Sequence, residues 1–60
     1  MRITINTGNA AFQGDRPEYE TAKVLRGLAT HLEAYGMPEP GAPVPLIDSN
    51  GNRVGKAEGH

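Results

Sequence analysis

Arg2-Ile3-Thr4-Ile5-Asn6 alternates polar and apolar side chains around β-branched residues, which predicts a half-buried strand over about residues 2–6. Ile3 and Ile5 are its inward positions. Thr7-Gly8-Asn9 closes the strand with turn chemistry, and Gly8 tolerates a positive φ there. Ala10-Ala11-Phe12 is too short to count as an element, and Phe12 is expected to plug the core edge from a loop. From about residue 16 to residue 35 the apolar spacing turns helical. At about 100° per residue Ala22, Val24, Leu25, Leu28, Ala29, Leu32 and Tyr35 share one face, opposite Glu20, Lys23, Arg26, Thr30 and Glu33. Asp15 and Glu18 have the spacing of a capping box, Pro17 suits a first turn, Gly36 suits the stop, and Pro38 bars continuation. Gly27 falls on the polar side, where it costs the helix roughly 0.8–1 kcal/mol relative to Ala.

Residues 37–43 hold three prolines and predict a stiff, extended connector of polyproline character. A hairpin over about residues 44–57 follows. Asn50-Gly51 is a strong signal for a two-residue type I′ loop, which sets Asp48 opposite Arg53, Ile47 opposite Val54 and Leu46 opposite Gly55. In that register Asp48 and Arg53 form a cross-strand ion pair. Glu58-Gly59-His60 is expected to fray. The predicted fold is α+β: a three-stranded, mostly antiparallel sheet, ordered strand–helix–hairpin in sequence, with one amphipathic helix on one face. The expected core is Ile3, Ile5, Leu25, Leu28, Leu32, Ile47 and Val54, closed by Phe12. The order of strands within the sheet is left open.

With 60 residues, 37% hydrophobic and 22% charged, the chain fits a single small globular domain. The formal charge of −1 disfavours a nucleic-acid binder, and the lack of cysteine removes disulfides, thiolate chemistry and cysteine-based zinc sites. No apolar run is long enough to span a membrane or to serve as a signal-peptide core. Catalysis finds no foothold. His31-x-Glu33 matches one fragment of a zinc-deaminase motif, but the Cys pair is missing and positions i, i+2 diverge on a helix. His60 is terminal and adds no ligand set. Asp48-Ser49-Asn50-Gly51-Asn52 begins like a calcium loop, yet Arg53 and Gly59 stand where glycine and glutamate are required. Ser49 lies in a turn without G-x-S-x-G context, and Gly8, Gly14 and Gly36 make no phosphate loop. No catalytic, cofactor or metal residue is assigned, and an enzyme is not expected.

The two-residue loop register has a surface consequence. Strand side chains alternate, so Leu46 and Val44 then lie opposite to the Ile47 face and outside the helix-covered core. An uncovered apolar strip marks a partner site or a homodimer seam. A three-residue loop would instead turn Leu46 inward. The expected interaction surface is Val44, Leu46 and Arg53, joined by Arg2 and Thr4 if the first strand shares that face. The expected role is a non-enzymatic protein-interaction module that binds through the open sheet face or an edge strand. The alternatives are a small dimeric DNA-binding regulator using Arg2, Arg53 and Lys56, or a structural role. A core this small supplies only about 3–5 kcal/mol, which makes a homodimer the expected state.

Ile3-Thr4-Ile5-Asn6-Thr7, Asn9-Ala10-Ala11-Phe12, Val24-Leu25-Arg26-Gly27-Leu28-Ala29 and Asp48-Ser49-Asn50-Gly51-Asn52-Arg53-Val54-Gly55 together resemble small uncharacterised proteins encoded in tailed-phage and prophage genomes of Gram-negative bacteria. The resemblance covers most of the chain and carries no catalytic residues, and the Pro-rich connector is longer than in that pattern. It implies a phage accessory protein made in the bacterial cytoplasm, of the sort that binds and modulates a host protein.

Overall fold

A computed structural model describes residues 1–59. Its elements are β1 (Arg2–Ile5), a 3₁₀ turn (Ala10–Phe12), α1 (Pro17–Tyr35), β2 (Val44–Ile47) and β3 (Arg53–Glu58). The fold is α+β, with one α-helix on a fully antiparallel sheet of strand order β1-β3-β2. The last strand to be made occupies the middle. The frayed end expected at Glu58 is instead paired with Arg2, while His60 lies outside the described residues.

Pro17 begins α1 because its fixed φ suits the first helical position and its missing N–H has no partner there to lose. That moves the N-cap to Arg16, which makes no side-chain cap bond, so the Asp15–Glu18 capping box does not form. Gly36, at φ 83°, ends the helix with its N–H donating to Leu32 O. Ala10–Phe12 forms a real 3₁₀ turn, capped by Asn9 Oδ1 accepting from Ala10 N–H at 2.7 Å, and it buries Phe12. The connector is not simply extended. Glu39-Pro40-Gly41-Ala42 is a hydrogen-bonded turn with Gly41 at φ 81°, and Pro38 is buried. A side chain at Gly59 would place its Cβ 2.0 Å from Pro38 O, so the connector closes tightly over the end of β3.

The hairpin corrects the expected register. Only Gly51 has positive φ in the loop, so the type I′ turn, which needs two such residues, is absent. Gly51 N–H donates to Asp48 O, and Asp48 N–H to Asn52 O, enclosing the three-residue loop Ser49-Asn50-Gly51. Asp48 Oδ1 accepts from the N–H groups of Asn50 and Asn52 at 2.9 and 2.8 Å, and this carboxylate bridge selects the wider loop. Asp48 is therefore buried in the turn and forms no pair with Arg53, which sits opposite Ile47. Glu20 on α1 grips the loop through Ser49 N–H and Oγ at 2.8 and 2.7 Å.

Beyond the loop, Ile47 pairs with Arg53 and Leu46 with Gly55, leaving Val54 as the extra residue of a β-bulge. The bulge turns both Val54 and Gly55 toward the helix. Leu46, Val54, Ala57, Phe12, Val24 and Leu28 form the buried core, with Ile5, Ala11, Leu32 and Val44 packed against it. Leu46 is 2% exposed. Leu25, Ile3 and Ile47, expected inside, are 41%, 43% and 48% exposed. Ile47 faces outward because the wider loop and the bulge shift it by one position. Ile3 and Leu25 are open because α1 packs over β2 and the 3₁₀ turn and leaves β1 uncovered.

Candidate functional site

Two surfaces remain once the core is assigned. Pairing puts Ile3 and Ile5 on the helix side, opposite Ala57 and Gly55, so Arg2, Thr4 and Asn6 alternate onto the open side. Lys56 lies opposite Thr4, Glu58 opposite Arg2, and Arg53 on the same open side opposite exposed Ile47. The structure thus gathers Arg2, Thr4 and Arg53 on one face, as their use in a common surface requires. It does not place Leu46 or Val44 there. Leu46 is core and Val44 packs beside it, so the uncovered apolar strip expected from them does not exist.

The open face carries a groove of about 540 Å³ between the end of β1 and the start of β3. Thr4, Asn6, Asn9, Arg53 and Lys56 supply its polar side chains. Asn6 Oδ1 accepts from Gly8 N–H at 2.9 Å and Asn9 Oδ1 from Ala10 N–H at 2.7 Å. Those two bonds assign the amides and turn both Nδ2 groups into available donors. Lys56 also approaches Glu58 Oε1 at 3.6 Å, in an exposed pair of little strength. Sequence reasoning passed over Asn6 and Asn9. Asn6-x-Gly8 and the Asn before Ala10-Ala11-Phe12 were nevertheless legible as side-chain-to-backbone turns.

The second surface is the outer edge of β1. In an antiparallel ladder each residue points both its N–H and its C=O to one side, and the side alternates. Asn6 N–H donates to Val54 O at 2.7 Å, so Arg2, Thr4 and Asn6 address β3. Ile3 and Ile5 address the open edge. No proline, bulge or inward charge protects that edge, whereas Pro45 occupies the corresponding outward position on β2.

His31 stacks on Tyr35 with ring centroids 4.9 Å apart. Among the described residues no group of three or more His, Cys, Asp or Glu side chains converges to hold a metal ion. No helix among them is long and apolar enough to cross a membrane. No protein-family model, curated protein or solved structure matches the chain.

Proposed function

We propose that the chain is a non-enzymatic protein-interaction module that dimerises through the outer edge of β1 and presents its open sheet face to a partner protein. The bare edge carries the reading. Ile3 and Ile5 offer backbone donors and acceptors that a two-fold-related β1 matches, and Ile3 and Met1 leave exposed apolar surface on that strand. A two-fold axis normal to the sheet keeps both helices on one side, and it requires like-facing residues to meet. Ile3 against Ile3 of a second copy satisfies this and sets Arg2 against Thr4 rather than against another cation. The joined sheet has six strands, and its helix-free side displays Arg2, Thr4 and Arg53 twice over. In the setting that the resemblance implies, the partner on that side is a host protein in the bacterial cytoplasm.

Sedimentation at micromolar concentration should give a dimer whose unfolding midpoint rises with concentration. Ile3→Lys places a charge at the seam and should give a monomer with the helical circular dichroism intact. A strictly monomeric wild type, or an unchanged dimer in Ile3→Lys, overturns the reading.

A DNA-contacting dimer is the second reading, favoured by Arg2, Arg53 and Lys56 sharing the open face. Among the described residues that face has no aromatic side chain on which a base could stack, since Phe12 is buried and both tyrosines belong to α1. DNA held by these cations should lose affinity steeply between about 50 and 200 mM salt. A salt-insensitive complex with a protein partner and no DNA retention removes this alternative.

A further inference from the structure

We propose that the groove at the end of β1 binds a phosphomonoester dianion. Its side chains are donors with little competing acceptor chemistry: the Arg53 guanidinium, the Lys56 ammonium, the Thr4 hydroxyl and the Nδ2 groups of Asn6 and Asn9. The two amide oxygens are already occupied by Gly8 and Ala10 N–H groups. No carboxylate among the described residues lines the groove, and Glu58 reaches Lys56 only from outside it at 3.6 Å.

The match is one of charge and of donor number. Two cations complement the charge of about −1.5 to −2 that a phosphomonoester carries near neutral pH. Its three terminal oxygens accept several hydrogen bonds at once, which the Arg53 fork and the neutral donors supply. A lone carboxylate would be satisfied by Arg53 and would leave the remaining donors idle. Thr4 and Lys56 are held opposite each other by the β1–β3 register, and the Asn6 N–H bond to Val54 O fixes Asn6 beside the bulge that precedes Gly55. The donors thus stand on a paired framework rather than on free loops. The whole groove belongs to one copy of the chain, so the site stands or falls separately from the dimer.

The test is a titration of the full chain followed by amide and side-chain NMR shifts, using inorganic phosphate, AMP and a phosphoserine peptide as separate probes. Saturable shifts at Thr4, Asn6, Asn9, Arg53 and Lys56 with inorganic phosphate are expected below about 10 mM. Tighter binding of AMP than of the peptide identifies a nucleotide-type source, and the reverse order identifies a phosphorylated protein segment. Arg53→Ala should weaken binding about tenfold or more. Arg26→Ala removes the same charge from the exposed face of α1, away from the groove, and should weaken it less than about twofold, as expected for a screened, distant charge. Asn9→Asp keeps the cap oxygen but loses the donor, so it should cost about tenfold while the fold persists. Thr30→Asp, which adds the same charge on the exposed side of α1, is its control. Shifts spread evenly over Arg2, Arg16 and Arg26, absence of saturation, or equal losses in Asn9→Asp and Thr30→Asp would each overturn the site.

Discussion

Gly55→Ala should leave the chain largely unfolded at room temperature. An added Cβ would lie 1.9 Å from Thr4 O, 2.9 Å from Thr4 C and 3.0 Å from Ile5 Cα, all of them backbone atoms of β1. No side-chain rotation relieves such a contact. Either β1 leaves the sheet or the bulge at Val54 is rebuilt, and both uncouple the strands that cover Val54 and Ala57. Overpacking costs roughly 1–3 kcal/mol when side chains can yield, and a backbone collision belongs at or above the top of that range. A chain of this size has only about 3–5 kcal/mol to lose. Gly27→Ala is the matched control, because its Cβ meets nothing within 4 Å. On an exposed helix turn it should raise stability by roughly 0.8–1 kcal/mol. Urea denaturation of the two variants should therefore move in opposite directions. Equal stability in Gly55→Ala and wild type would contradict the bulge geometry.

Leu46→Asp should also abolish folding, whereas Ile47→Asp should not. Leu46 is sealed among the core residues at 2% exposure, and a carboxylate there would be buried with no counter-charge. Even Leu46→Ala should cost about 2–5 kcal/mol. Ile47, one position along, is 48% exposed opposite Arg53, so an aspartate remains solvated and finds a cation nearby. Its cost should stay within the roughly 1 kcal/mol that strand propensities span. The two-residue-loop register predicts the reverse order. Thermal melts of this pair therefore decide the register itself, since a folded Leu46→Asp beside an unfolded Ile47→Asp would reinstate the two-residue loop.

The local signals that proved legible were those fixed by covalent geometry. Pro17 and Gly36 bound a helix expected at 16–35 and found at Pro17–Tyr35, and alternation around Ile3 and Ile5 located β1 to within a residue. What escaped was decided by competition between residues distant from any single motif. Asn50-Gly51 favours a two-residue loop, but Asp48 accepts two backbone N–H groups only when the loop is one residue wider. That single carboxylate, with the bulge it precedes, moved Leu46 into the core and Ile47 out of it. Helix periodicity marked Leu25 and Val24 alike as inward. Only the lateral placement of α1 over β2, which no local pattern encodes, separates the buried valine from the exposed leucine. Of the residues expected to form a contact surface, Arg2, Thr4 and Arg53 share a face, while Val44 and Leu46 belong to the interior.

The unequal treatment of the two sheet margins sets a stoichiometric ceiling. Were both margins bare, every added copy would expose a fresh one, and growth could run on into a fibril. Pro45 denies the outer margin of β2 an amide hydrogen, so only one margin per chain invites a neighbour. In the proposed dimer, the margins left outward are the Pro45 ones, so assembly through strand edges would stop at two chains.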